Sequence, residues 1–143
     1  MAVKISRAFV SDAEPEAIFD VLSDVEAFPA WSAIHKDMAV IDRYPDGRPH
    51  QVSTVVKALG IRGRQVLEFH WGPDWMVWDA IEGTFESAGH VEYTLTRELG
   101  GTRVRVDLTV EPTILLPGFL IRRGSEKVMT ALTDGLRKRI SGL

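Results

Sequence analysis

Four histidines, His35, His50, His70 and His90, are the side chains of this chain most suited to proton transfer or metal binding, and they are scattered rather than spaced. None forms a His-x-x-x-His or His-x-x-Glu-His pattern, so a metal site is not expected. The chain has no cysteine, which removes disulfides, thiolate nucleophiles and thiolate metal sites together. It has no Gly-x-Ser-x-Gly elbow, no Gly-x-Gly-x-x-Gly and no phosphate loop; Gly60-Ile61-Arg62-Gly63 is short and reads as a turn. Hydrolase and nucleotide chemistry are therefore disfavoured, and no cofactor is expected. What remains is general acid/base work by Tyr93, His35 or Asp79, provided the side chain turns inward. Each of the three reads better as a sheet residue with a hydrogen-bonded or solvated tip.

A second set of residues is suited to binding. Trp31, Phe69, Trp71, Trp78 and Tyr93 form an aromatic group, with the Thr54 and Tyr93 hydroxyls as polar handles. Together with Leu67, Phe119, Val128 and Leu132 they make the expected lining of an apolar cavity. For any one of these tryptophans plain core packing is the simpler explanation, so the weight rests on the cluster.

These residues need elements to position them. Asp12 or Ala13 closes a first strand, Pro15 opens a helix on which Ile18, Val21 and Leu22 recur, and Asp24 leads into a second short helical turn ended by Phe28-Pro29. Strands are expected over Ile34 to Arg43, Gln51 to Leu59, Arg64 to Trp71, Trp75 to Ile81, His90 to Glu98 and Thr102 to Glu111. Leu99-Gly100-Gly101 is a hairpin signal, because glycines tolerate positive φ. Alternation puts Leu67, Phe69 and Trp71, Val91, Tyr93 and Leu95, and Val104, Val106, Leu108 and Val110 on one dry face. The phase of Trp75 against Trp78 is open by one position, since Trp75-Met76-Val77-Trp78 is apolar on both faces. Glu92 is expected to pair with Arg103 or Arg105 on the wet face. From Pro117 to Ile140 the period becomes helical, with Ile121, Ser125, Val128, Leu132, Leu136 and Ile140 on one stripe and Arg122, Glu126, Thr133, Arg137 and Lys138 opposite. Gly124, Ser125, Ala131 and Gly135 are small for an inward stripe, which suggests space between helix and sheet of roughly 300 to 1,000 Å³.

The block Ala13-Glu-Pro-Glu-Ala-Ile-Phe-Asp-Val-Leu-Ser-Asp-Val-Glu-Ala-Phe-Pro-Ala-Trp31, with Gly-Gly-Thr-Arg-Val at 100 to 104 and Leu-Pro-Gly-Phe-Leu at 116 to 120, resembles the START-like, Bet v 1-like superfamily (SRPBCC), in its polyketide cyclase/dehydrase and lipid transport branch. The resemblance spans nearly the whole chain. It implies an α+β helix-grip fold: a curved antiparallel sheet of six or seven strands wrapped around a long C-terminal helix, with two short helices after the first strand. It also implies a cavity, but names no ligand.

Length and composition bound the rest. The 143 residues are expected to form a single domain over 1–143, large enough to bury a core without disulfides or metal. A net charge of −3 offers no basic field for nucleic acid. The N-terminus runs straight into strand pattern, and no apolar run is long enough for a membrane span, so a cytoplasmic location is expected. Ile114-Leu115-Leu116-Pro117-Gly118-Phe119-Leu120-Ile121, followed by Arg122-Arg123, reads either as a portal suited to transient membrane contact or as a buried strand-to-helix corner. The leading functional expectation is a carrier for a lipid, isoprenoid, quinone or polyketide. The alternative is a polyketide cyclase or dehydratase using pocket acid/base residues; a filled domain working through its surface is the third.

Overall fold

The computed structural model describes residues 3–58, 61–83, 89–111 and 117–142. Strand β1 (Val3–Ser11) leads into helix α1 (Pro15–Ser23), a single 3-10 turn (Val25–Ala27) and the short helix α2 (Phe28–Trp31). Six strands follow: β2 (His35–Arg43), β3 (Pro49–Ala58), β4 (Ile61–Trp71), β5 (Trp75–Gly83), β6 (His90–Glu98) and β7 (Gly101–Val110), before helix α3 (Gly118–Ser141). All pairings are antiparallel, and the seven-stranded sheet runs β1-β7-β6-β5-β4-β3-β2. The strands curve around α3, which rests mainly on β1 and β7 and meets α1 and α2 at one end. This is the helix-grip arrangement.

Local sequence explains most of the boundaries. Pro15 sits in the first turn of α1, where its missing N–H is not needed, and Ile18, Phe19 and Leu22 are turned into the core while Val21 is only half-buried. Phe28-Pro29 starts α2 rather than ending a helix, since Pro29 again occupies a first turn. Ile61 to Gly63 belong to β4, with Gly63 opposite Val56, so the separating turn is shorter than the glycine spacing suggested. Leu59 and Gly60 lie outside the described residues. At the β6–β7 hairpin only Gly100 uses positive φ (84°), whereas Gly101 is required because a Cβ there would come 2.0 Å from the Ser11 carbonyl oxygen.

The dry face is as the alternation implied: Leu67, Phe69, Met76, Trp78, Val91, Tyr93, Leu95, Val104, Val106 and Leu108 are all buried. Met76 and Trp78 point inward, which leaves Trp75 half-exposed and settles the phase of that strand. On the outer face Glu92 stands opposite Asp107, with Arg105 diagonally across as its expected opposite charge; Arg103 bonds Glu98, and Arg105 also bonds its strand neighbour Asp107. On α3, Met129 and Thr133 join the buried stripe; the Thr133 hydroxyl returns to the Met129 carbonyl, which removes the cost of facing the sheet.

Candidate functional site

Two regions divide the space between sheet and helix. One is filled by packed aromatic rings. Phe28 packs on Trp31 (4.7 Å between centroids), Phe69 on Trp78 (5.3 Å) and on Trp71 (6.0 Å), and Trp78 on Tyr93 (5.8 Å). The other region is hollow. There a cavity of about 100 Å³ opens to solvent, with about 680 Å³ of atom-free space once its mouth is counted. The enclosed part is smaller than the helix composition suggested, because the rings occupy the rest of the sheet.

The cavity walls are apolar. Val56, Trp78, Val91, Leu108 and Val110 come from the sheet, and Val128 and Leu132 from α3, where Gly124 and Ser125 keep the helix surface low. Among the described residues His35, Gln65 and Ser125 bring polar side chains to it. The Ser125 hydroxyl donates to the Ile121 carbonyl at 2.7 Å and is spent on its own helix. No Asp, Glu, Lys or Arg stands among the described lining residues.

His35 owes its place to a bulge. Alternation would set His35 and Met38 on opposite faces, yet both are buried and Lys36 and Asp37 between them are exposed. The register slips between His35 (opposite Val56) and Asp37 (opposite Val55), so one extra residue lets both side chains point inward. Just upstream the His35 amide donates to the Ser32 carbonyl at 3.3 Å, a turn that brings the Ser32 hydroxyl 2.7 Å from His35 Nδ1. The ring is edge-on to Phe28 and Trp78, and burial lowers its pKa from 6.5 to about 4, so it is neutral at physiological pH.

Of the residues singled out in the sequence, His35, Trp78, Val128 and Leu132 meet at this cavity. Leu67, Phe69 and Tyr93 belong to the packed core beside it. The Tyr93 hydroxyl donates to the Leu132 carbonyl at 2.9 Å, and burial raises its pKa well above the ordinary tyrosine value. Trp31 packs under α3 with its Nε1 lacking a hydrogen-bond partner, and Trp71 donates to the Pro49 carbonyl. Thr54 borders a separate hollow lined by β2, β3, β4 and β5, and Phe119 is exposed to solvent. Asp79 is on the outer face, 2.6 Å from His90 Nδ1. Ala131 is buried but does not line the cavity, and Gly135 serves contact: a Cβ there would lie 2.1 Å from the Trp31 carbonyl oxygen. Sequence reasoning missed Gln65, the aliphatic wall from Val91, Leu108 and Val110, and Phe28. The alternation of β4, β6 and β7 carried the signal for all but Phe28.

Of the segment considered as a portal, Ile114, Leu115 and Leu116 lie outside the described residues, while Phe119 and Leu120 are exposed beside exposed Arg122 and Arg123. No helix among the described residues is long and apolar enough to cross a membrane.

A family model described as polyketide cyclase/dehydrase and lipid transport matches residues 2–141. No curated protein matches the chain. Among solved structures, the fold is similar to a START superfamily protein from Mycobacterium smegmatis, with a TM-score of 0.86 at 23% identity over 97% of both chains. It is similar to TTHA0849 from Thermus thermophilus, with a TM-score of 0.77 at 26% identity over 99% of this chain and 98% of that one. The Zhui aromatase/cyclase from a Streptomyces species, R1128, aligns with a TM-score of 0.78 at 11% identity over 99% of this chain and 94% of that one.

Proposed function

The chain belongs to the polyketide cyclase/dehydrase and lipid transport family, and from that premise we propose that it is a binding or carrier module for a small hydrophobic molecule held between the sheet and α3. The observation that carries this reading is the open apolar cavity lined by Trp78, Val91, Leu108, Val128 and Leu132. A ligand seated there buries its apolar surface at roughly 25 cal/mol per Å², and the few polar groups of the wall set its orientation. Lipids, isoprenoids, quinones and polyketides all fit that description. Exposed Phe119 and Leu120 beside Arg122 and Arg123 suit brief contact with an anionic membrane surface during loading.

The second reading, a polyketide cyclase or dehydratase, is favoured by one observation: an ionisable ring, His35, on the cavity wall. A pKa of about 4 makes that ring a weak base, and no carboxylate stands among the described lining residues to assist it. Binding without turnover is therefore the better supported function.

Native mass spectrometry of the protein purified from its own host, followed by extraction, tests the proposal. A stoichiometric apolar molecule is expected. A protein that carries nothing and does not take up the neutral dye N-phenyl-1-naphthylamine overturns it.

A further inference from the structure

His35 and Ser32 together decide which hydrogen-bonding group the cavity presents. Ser32 is completely buried, and the only acceptor that its hydroxyl meets among the described residues is His35 Nδ1, at 2.7 Å. A buried hydroxyl proton left without an acceptor is costly, so the Ser32 O–H donates to Nδ1, and Nδ1 carries no proton. The reverse arrangement, with Nδ1–H donating to Ser32 Oγ, would leave the serine proton unplaced. A neutral imidazole with a bare Nδ1 holds its proton on Nε2. That nitrogen meets no hydrogen-bonding group among the described residues, and the ring lies on the cavity wall.

Resting on the carrier reading above, we propose that the cavity selects an uncharged apolar molecule bearing an oxygen acceptor, a ketone, quinone or ester carbonyl, which takes the His35 Nε2–H hydrogen bond. Ser32 is the positioning residue that sets the tautomer. The rest of the wall argues for the neutral ligand. With no Lys or Arg among the described lining residues, a carboxylate would surrender its hydration and gain only neutral donors in return. Burial also keeps the imidazole uncharged, so it offers a directed donor rather than a counter-ion. The discrimination follows from the cost of the alternative: a pure hydrocarbon that fills the cavity covers this N–H and leaves it unpaired.

Three naphthalenes of one skeleton test this: 2-acetylnaphthalene, 2-ethylnaphthalene and 2-naphthoate, titrated calorimetrically into the intact protein and into His35→Phe. The ketone is expected to gain about tenfold over the hydrocarbon in the parent protein relative to that ratio in His35→Phe, with naphthoate weakest. An unchanged ketone-to-hydrocarbon ratio, or naphthoate binding tightest, overturns the proposal while leaving the carrier reading standing. Failure of all three probes to bind overturns the carrier reading and this inference with it. Should His35→Phe fail to fold, long-range proton–nitrogen spectra of the parent protein decide alone. A bare Nδ1, with an Nε2 proton that shifts on adding the ketone but not the hydrocarbon, is the expected result; a protonated Nδ1 overturns the assignment.

Discussion

The Tyr93 hydroxyl, buried on β6, donates to the main-chain carbonyl of Leu132 on α3 at 2.9 Å. This bond ties the sheet to the gripping helix between the packed aromatic rings and the cavity, and it consumes the only polar atom of the Tyr93 side chain. Tyr93→Phe is expected to lower stability by about 1 kcal/mol. Chemical denaturation measures that loss, and uptake of N-phenyl-1-naphthylamine should be unchanged. A large fall in affinity at unchanged stability would assign the hydroxyl to the ligand instead.

Val128 lies on the cavity wall and is only half-buried, so a larger side chain can grow into the hollow without displacing the packed rings. Val128→Phe should reduce dye uptake at least tenfold while shifting stability by less than about 1.5 kcal/mol. Fluorescence titration beside thermal melting separates the two effects. Retained uptake would place the ligand elsewhere on the protein.

His35 also couples stability to pH. Its pKa falls from 6.5 to about 4 on folding because burial penalises the imidazolium. Between those values the unfolded chain binds a proton that the folded protein refuses. The stabilising contribution is therefore complete above pH 6.5 and is lost as pH falls towards 4, an effect of about 3 kcal/mol. Denaturation curves across that window should slope more steeply for the parent protein than for His35→Phe, whatever the variant costs in absolute terms. Equal slopes would mean that the ring titrates normally.

Gly135 is where α3 crosses α2. Alanine is about 1 kcal/mol the better helix former, yet its Cβ would stand 2.1 Å from the Trp31 carbonyl oxygen, a main-chain atom that cannot swing aside. Gly135→Ala is expected to destabilise by about 2 kcal/mol net, read from the denaturation midpoint. A stabilised variant would show that the two helices separate easily.

Asp79 and His90 form a hydrogen bond on the outer face of β5 and β6, with both side chains substantially exposed. Asp79→Asn should therefore leave dye uptake unchanged and move stability by no more than about 0.5 kcal/mol. A loss of binding would bring the outer face into the site.

Most of the fold was legible along the chain because its signals are local. The period-two runs around Phe69, Tyr93 and Val106 require one dry face, and the shift to helical period after Pro117 requires a helix to cover it. The opening block with Pro15 and Trp31 marks the short helices between. The site was legible only in part. Trp78, Val128 and Leu132 could be named from their faces, but whether an inward aromatic lines a hollow or fills it depends on neighbours far away in sequence: Phe28 and Phe69 occupy the space that Trp31, Trp71 and Tyr93 were expected to leave open.

His35 marks the boundary most clearly. Its residue type made it a candidate, but its direction hangs on a single extra residue in the pairing of β2 with β3, and its tautomer on a serine brought within 2.7 Å by a turn. The amino-acid order by itself determined the strands, the long helix, the buried face and hence the helix-grip architecture, since hydrophobic period and turn chemistry act over a few residues. Tertiary structure alone decided where the sheet stays hollow and which polar group looks into the hollow, because both arise from register and packing between segments that meet only once the chain has folded.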